Sequence, residues 1–96
     1  MYEIRKTDHF ANWLDKLRDV RARARVQARI ERLIMGNFGD SKSIGHSLSE
    51  LRIDYGPGYR VYFTQRGQQI IILLVGGDKS TQTADIRKAQ KLAEDL

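Results

Sequence analysis

The first third of the chain carries hydrophobic residues at helical spacing, after a short extended start. Residues 2–6 are predicted to form a strand, and Thr7 or Asp8 can cap a helix whose apolar side chains recur at i, i+3, i+4 and i+7. A second helix is predicted over about residues 20–35. Its buried stripe is expected to consist of Val26, Ile30, Leu33 and Ile34. Residues 39–47 are polar and contain glycine, which predicts a loop.

From Leu48 onward the pattern changes, because apolar residues now alternate with polar ones. This period of two predicts half-buried strands. The Gly-Pro-Gly segment at residues 56–58 turns the chain into a second strand, and a two-residue turn at Arg66-Gly67 leads into a third, residues 69–75. The glycines that follow are expected to end that strand, and a final helix is predicted from about Thr81 to Leu96.

The turns also predict which residues face each other across the sheet. A three-residue loop at 56–58 places Arg52 opposite Tyr62, and the next turn places Phe63 opposite Ile70. Together the elements predict a small α+β domain in the order β-α-α-β-β-β-α, with a mostly antiparallel, twisted sheet. The two N-terminal helices are expected to pack on one face of the sheet, and a polar, basic groove is expected on the other.

Composition narrows the class of protein. At 96 residues the chain is expected to form one domain, residues 1–96, and its formal net charge of +5 favours nucleic acid or an acidic protein as the partner. There is no cysteine and there are two histidines, so we expect no disulfide, no metal site and no cofactor. No apolar run is long enough to span a membrane and no secretory signal is seen, so the expected location is the cytoplasm.

Four arginines lie on one side of the second predicted helix. Arg21, Arg25, Arg29 and Arg32 fall within an arc of about 80°, away from the apolar stripe. The functional interpretation is a surface that binds phosphates or an acidic partner segment. The alternative is an ordinary solvated helix face, because arginine is also a good helix former.

The predicted groove contains the strongest candidate chemistry. Three cationic residues and one tyrosine converge on this face of the sheet: Arg52, Arg60, Lys79 and Tyr62. Cleavage of RNA requires positive charge around the phosphate, and the planar guanidinium of arginine matches phosphate oxygens, while an aromatic ring can stack on an unpaired base. The alternative is structural, with Asp54 pairing with Arg60 and Glu50 pairing with either of the other two cations.

His46 is a further candidate for acid–base chemistry. It lies in the loop that precedes Leu48, from which it can reach the groove, and an imidazole titrates near neutral pH. The alternative is a solvent-facing loop residue. Residues 76–80, Gly-Gly-Asp-Lys-Ser, do not satisfy the phosphate-loop pattern, so nucleotide hydrolysis is not expected.

Several segments, in their order along the chain, resemble a known family. They are Gly36-Asn37-Phe38-Gly39-Asp40, Leu48-Ser49-Glu50-Leu51-Arg52-Ile53, Gly56-Pro57-Gly58-Tyr59-Arg60-Val61-Tyr62-Phe63, Leu73-Leu74-Val75-Gly76-Gly77-Asp78-Lys79-Ser80-Thr81-Gln82 and Asp85-Ile86-Arg87-Lys88-Ala89. Along nearly its whole length the chain resembles the HigB-like addiction-module killer toxins of the RelE/ParE superfamily. The resemblance implies a RelE-like fold.

The resemblance also implies the toxin component of a type II toxin–antitoxin system. The partner would be a small antitoxin with a helix-turn-helix DNA-binding domain, and the complex would contact operator DNA through that antitoxin. RelE- and HigB-like toxins are ribosome-dependent endoribonucleases that cut mRNA by attack of the 2′-hydroxyl. The expected activity is therefore that of an mRNA interferase, which inhibits translation and acts on the ribosome and mRNA.

The site residues of the family carry over to three positions of this chain. Arg60 matches the arginine that stabilises the cleaved phosphate, Lys79 occupies the basic position where RelE-type toxins place a general acid, and Arg52 matches the basic strand residue that holds RNA. Five further residues are candidates for RNA binding: Tyr62, His46, Arg21, Arg25 and Arg29.

Two other functions remain open. RelE-type toxins carry a tyrosine just past the last strand, whereas this chain has Thr81-Gln82-Thr83 there. ParE relatives share the fold but poison DNA gyrase and need no nuclease site, so a gyrase poison is the first alternative. The second is a toxin-like repressor subunit whose site has decayed.

Overall fold

The computed structural model describes all 96 residues as one five-stranded sheet with three helices. The elements are β1 (Glu3–Lys6), α1 (Asp8–Lys16), α2 (Val20–Ile34), β2 (Ser41–Gly45), β3 (Leu48–Ile53), β4 (Tyr59–Arg66), β5 (Ile70–Asp78) and α3 (Gln82–Glu94), with a 3₁₀ turn, Lys79–Thr81, before α3. The strand order is β1-β5-β4-β3-β2, in which β1 runs parallel to β5 and all other neighbours are antiparallel. None of the helices combines the length and apolar character needed to cross a membrane.

Side chains fix the starts of the first two helices. The hydroxyl oxygen of Thr7 accepts the Phe10 backbone N–H (3.0 Å), and the same hydroxyl donates to the Leu74 carbonyl (2.6 Å), which ties the start of α1 to β5. Asp19 begins α2 in the same way, because its Oδ1 accepts the N–H groups of Arg21 and Ala22 (3.0 and 3.2 Å). The structure confirms both predicted helices, and Thr7 is the cap of the first.

The main core lies between α1, α2 and one face of the sheet, as predicted. Both helices contribute buried apolar residues that pack against alternate positions of β3, β4 and β5. Its buried members are Phe10, Leu14, Ala22, Val26, Ile30, Leu33, Leu51, Ile53, Tyr59, Val61, Phe63, Ile71 and Leu73. Trp13 packs so closely on Gly76 that a Cβ there would overlap the indole ring, which explains the glycine within β5.

The opposite face of the sheet is largely apolar, so the prediction of a polar, basic groove across it is wrong. Helix α3 packs on this face, and its apolar side chains cover a second buried cluster. The buried members of this cluster are Leu48, Tyr62, Ile72, Leu74, Val75 and Ala89. On β3 and β4 the charged side chains of this face lie towards the ends of the strands, with Glu50, Arg52 and Arg60 towards one end and Arg66 at the other.

The fold contains one strand more than the sequence predicts, so the order is β-α-α-β-β-β-β-α. Residues 41–45, expected within a loop, form β2 and pair antiparallel with β3. This strand lies at the edge of the sheet and has three exposed positions, so its sequence carries no alternation of apolar and polar residues. The class, a small α+β fold, is as predicted.

The predicted register between β3 and β4 is wrong by two residues. Arg52 is opposite Arg60, and Tyr62 is opposite Glu50, because residues 54–58 all belong to the connection. A shift of two residues leaves every side chain on its original face, so the predicted set of core residues on β3 and β4 remains correct.

The predicted register between β4 and β5 is also wrong. Here the shift is three residues, an odd number, which moves side chains of β5 to the other face of the sheet. The connection contains three residues, 67–69, and Phe63 is opposite Leu73 instead of Ile70. As a result Ile71 and Leu73 belong to the main core and Ile72 to the α3 side. Strand β5 also continues through its two glycines to Asp78, where the sequence predicts a break.

Candidate functional site

Three cationic residues lie at the end of the sheet where β3 ends and β4 begins. Arg52 is directly opposite Arg60, and opposing residues of an antiparallel pair project from the same face. Lys79 follows β5, and its backbone N–H donates to the carbonyl of Gly58 (3.1 Å). Gly58 has φ +82°, and the aliphatic stem of Lys79 packs against it. The fold therefore brings Arg52, Arg60 and Lys79 to one end of the sheet.

Arg60 makes one hydrogen bond and one longer ion pair within the chain, and its buried Nε has no hydrogen-bond partner. Its Nη1 donates to the Tyr59 carbonyl (3.1 Å), and its Nε lies 3.9 Å from Oε2 of Glu50. Glu50 is only 2% exposed and accepts a hydrogen bond from Nε2 of Gln82 (3.2 Å). The Arg60 side chain is 11% exposed, so its guanidinium is accessible only in part. The structural alternative of an Asp54–Arg60 pair is not formed, because Glu50 is the carboxylate near Arg60.

Arg52 and Lys79 are more accessible than Arg60. The Arg52 side chain is 36% exposed, and its Nε lies 3.2 Å from Oδ1 of Asp40, which immediately precedes β2. Lys79 is exposed and forms no ion pair. Neither cation pairs with Glu50, so the other part of the structural alternative is also not formed. Two accessible charges therefore flank one fixed guanidinium.

Tyr62 is not available to stack on a base, contrary to its predicted role, because its side chain is fully buried beneath α3. Burial raises the pKa of Tyr62 to about 12 from its ordinary 10.0, and the negative charges of Glu50 and Asp85 act in the same direction. Its buried hydroxyl makes no hydrogen bond of ordinary length, although the nearby Gln82 side chain opposes the rise in pKa. Tyr62 is therefore a core residue that lies behind the charged end of the sheet.

Tyr62→Phe is expected to raise the free energy of unfolding by about 1 kcal/mol at neutral pH, because it removes a buried, unpartnered hydroxyl. The folded state raises the pKa of this tyrosine, so the stability linked to its protonated form is complete below pH 10 and is lost as the pH rises towards 12. The variant should consequently lose less stability over that interval in urea titrations. The pKa of Tyr59 is also raised, chiefly by burial. Part of the loss of stability at alkaline pH therefore remains in both the wild type and the variant. Equal alkaline slopes would contradict the assignment.

His46 is not brought to the charged end of the sheet. It lies in the turn between β2 and β3, where Leu48 is opposite Thr64. Thr64 is four residues along β4 from Arg60, a distance of about 13 Å at the usual rise of a strand. His46 instead lines a separate cavity of about 440 Å³. The prediction that it reaches the same site as Arg60 is therefore wrong.

The arginines of α2 lie on the other side of the sheet and differ in their environments. Arg21 is exposed, and the Arg25 guanidinium lies 4.6 Å from the centre of the Tyr55 ring, a cation–π contact. Arg29 donates to the carbonyls of Arg52 (2.6 Å), Phe38 (3.1 Å) and Asp40 (3.1 Å).

Burial lowers the pKa of Arg29 from its ordinary value, although the nearby Asp40 carboxylate opposes the shift. Because its donors are engaged with backbone carbonyls, Arg29 holds β3 and the segment before β2 against α2. A cavity of about 230 Å³ lies beside it, between α2 and the end of β3. Of the three α2 arginines predicted to bind RNA, Arg21 and Arg25 are the exposed ones.

Two residues of α3 belong to the site and were missed by sequence reasoning. Gln82 reaches the Glu50 carboxylate, and Asp85 lies over Gly77, where a Cβ would overlap its carboxylate. Thr81 donates its hydroxyl to Asp85 Oδ2 (2.6 Å). The sequence contains one signal for this contact, since adjacent glycines inside a strand indicate a close approach by another element.

The chemistry available at this end of the sheet is the binding of anions. A guanidinium fixed by Glu50 and two accessible cations provide donors and positive charge for a phosphate-bearing ligand. No group of three or more His, Cys, Asp or Glu side chains lies close enough to hold a metal ion.

Residues 12–95 match the family of phage-derived, Gp49-like proteins (DUF891). The chain belongs to the Gp49-like family. This is a RelE-like, toxin-like family of toxin–antitoxin systems. An uncharacterised protein of Haemophilus influenzae is 52% identical over 94 residues, which cover 98% of this chain and 95% of the relative. The family match includes every strand from β2 to β5 and therefore the whole charged end of this Gp49-like sheet.

Proposed function

We propose that this Gp49-like chain is the HigB-like toxin of a type II toxin–antitoxin pair, and that it is a ribosome-dependent endoribonuclease that cleaves mRNA. Membership of a toxin-like family supports the first part. One observation carries the second: Arg52 and Arg60 are directly opposite each other on one face of the sheet, and Lys79 lies at the same end. That arrangement concentrates positive charge where a phosphodiester can approach.

In this mechanism the protein stabilises the charge that develops on the phosphate. Attack by the 2′-hydroxyl produces a pentacoordinate phosphorus with added negative charge on its oxygens. Arg60 donates to these oxygens, and its existing contacts with Glu50 and the Tyr59 carbonyl mean that little reorganisation is needed during the reaction. The bond from phosphorus to the 5′-oxygen breaks as the 2′-oxygen bonds to phosphorus, which yields a 2′,3′-cyclic phosphate and a 5′-hydroxyl. Water takes the 2′-hydroxyl proton and supplies a proton to the leaving 5′-oxygen, and the ribosome positions the RNA.

Arg52 and Lys79 bind the flanking RNA in this proposal. Both side chains are accessible, and positive charge beside the scissile phosphate offsets the repulsion among neighbouring phosphates. The formal net charge of +5 favours association with the ribosome and mRNA in the cytoplasm. The same charge suits an antitoxin with an acidic segment, and contact with operator DNA would be made by that antitoxin.

The second candidate is a ParE-like poison of DNA gyrase. It is favoured by the burial of Tyr62, because the tyrosine predicted to stack on a base is not available to do so. It is also favoured by the small exposure of Arg60. In that case Arg52 and Lys79 would bind gyrase and no phosphodiester would be cleaved.

Induction of the wild-type chain without antitoxin, followed by mapping of transcript 5′ ends, tests the proposal. We expect growth arrest together with new 5′ ends inside coding regions, and loss of those ends when translation is blocked before induction. Growth arrest with intact mRNA would contradict the proposed nuclease activity and favour gyrase as the target. A plasmid supercoiling assay would then test gyrase. No effect on growth would favour a repressor subunit.

A further inference from the structure

A cavity lies away from the charged site, at the opposite end of β4. Its volume is about 440 Å³, within the range of small-molecule sites. The turn between β2 and β3, the end of β4 and the last turns of α3 form its walls. All but one of its lining residues are polar, and they include His46, Gln65, Arg66, Gln90 and Glu94.

Hydrogen bonds join the walls of this cavity. Thr64 is 3% exposed and donates its hydroxyl to the Ser47 carbonyl (2.8 Å), which ties β4 to the turn. Arg66 donates from Nη2 to the Ala93 carbonyl (3.0 Å), which ties the end of β4 to α3. The other donors of Arg66 make no hydrogen bond within the chain. The cavity is therefore a preformed space with free guanidinium donors.

The lining residues fit a nucleotide better than a simple anion. Arg66 and His46 suit a phosphate group, whereas the amide of Gln90 offers both a donor and an acceptor to the edge of a base. The Glu94 carboxylate repels a small polyanion, but it accepts a hydrogen bond from an exocyclic amino group. The imidazole of His46 can also stack on a base.

The turn that carries His46 provides an independent observation. His46 and Ser47 both have positive φ, at 54° and 60°, in a two-residue hairpin connection. Asn-Gly is the sequence most favoured there, and this chain has His-Ser instead. A turn whose sequence departs from the favoured one, at the rim of a cavity, is typical of a functional position.

We infer that this cavity binds one nucleotide of single-stranded RNA and recognises a base that carries an exocyclic amino group. The inference rests on the proposed function, because it makes the cavity the base-recognition subsite of the same nuclease. Arg66 lies six residues along β4 from Arg60, about 20 Å at the usual rise of a strand, and α3 covers the face between them, so the cavity takes a nucleotide away from the scissile phosphate. Recognition of adenine, cytosine or guanine over uracil follows from Glu94.

Nucleotide titrations of the isotope-labelled full chain, followed by NMR, test the inference. We expect the four nucleoside monophosphates to shift the backbone resonances of residues 46–47 and 64–66, with UMP the weakest of the four. A short single-stranded RNA should shift the same resonances at lower concentration. Inorganic phosphate alone should have little effect, because it can use neither Gln90 nor Glu94.

The variant His46→Asn/Ser47→Gly separates recognition from folding. It should raise the midpoint of thermal unfolding by about 4–8 °C, because Asn-Gly suits this turn, and weaken nucleotide binding by about tenfold or more. Ser43→Ala, an exposed change on β2 outside the cavity, is the matched control and should bind as the wild type does. Loss of binding in a more stable protein cannot be attributed to unfolding.

Several results would overturn the inference. They are the absence of shifts at the cavity, a response to phosphate equal to that of the nucleotides, and undiminished binding by the double variant. Tighter binding of free mononucleotides than of RNA would also show that the cavity does not recognise RNA. If the cavity binds RNA but no transcript is cut, the nuclease proposal fails and the RNA-binding cavity stands. If transcripts are cut but the cavity does not bind RNA, the nuclease proposal stands and the inference about the cavity fails.

Discussion

Arg60→Ala is expected to abolish growth arrest and to lower the free energy of unfolding by about 3–5 kcal/mol. The activity is lost because no other guanidinium lies at that position to stabilise the phosphate. The stability is lost because Glu50, which is 2% exposed, would keep a buried negative charge with Gln82 as its remaining polar partner. Growth curves after induction measure the first effect, and urea denaturation of the purified variants measures the second.

Two further variants separate catalysis from folding. Adding Glu50→Gln to Arg60→Ala removes the unpaired charge, so most of the stability should return while growth arrest stays absent. Lys79→Ala should reduce cleavage by about 100-fold and change stability by less than about 0.5 kcal/mol, because Lys79 is exposed and unpaired. Lys16→Ala, an exposed lysine at the end of α1 on the far face, is the matched control and should remain toxic.

These variants have outcomes that would reject the charged site. If the Arg60→Ala/Glu50→Gln protein folds stably and still arrests growth, Arg60 does not take part in the reaction. If Lys16→Ala reduces toxicity as much as Lys79→Ala does, total charge matters and the position of Lys79 does not. Growth arrest that depends on Lys79 with no transcript cleavage would favour the gyrase alternative.

Periodicity predicted the helices and the core faces of β3 and β4 correctly, because each property needs only the spacing of apolar residues. It missed β2, because an edge strand with polar residues on both sides has no alternation to detect. It misplaced β5, because a bulge beside Phe63 and a three-residue connection change which of its residues face each helix layer. The lengths of the connections, which the sequence leaves open, determine the register.

In the candidate site, too, some features could be predicted from the sequence and others could not. Arg52, Arg60 and Lys79 were expected on one face, and the structure brings them to one end of the sheet. The partner of Arg60 was not predicted, since a shift of two residues decides whether Asp54 or Glu50 lies near it. The burial of Tyr62 depends on α3 crossing this face, and the helix pattern alone does not say against which surface its apolar side packs.

Arg29→Ala is expected to lower the free energy of unfolding by about 2–4 kcal/mol, whereas Arg21→Ala should change it by less than about 0.5 kcal/mol. Arg29 loses charged hydrogen bonds to three backbone carbonyls, which lie at Arg52, Phe38 and Asp40. Arg21 is exposed, and its side chain makes no hydrogen bond or ion pair within the chain. Urea denaturation of the two variants provides the comparison.

Arg29→Lys extends this test from charge to geometry. A lysine keeps the positive charge but cannot match the planar fork that reaches all three carbonyls, so it should recover less than half of the lost stability. If Arg29→Lys is as stable as the wild type, charge alone explains the role of this residue. If Arg29→Ala and Arg21→Ala have equally small effects, Arg29 does not fasten α2 to the strand that carries Arg52, and the α2 arginines form one surface available to a ligand.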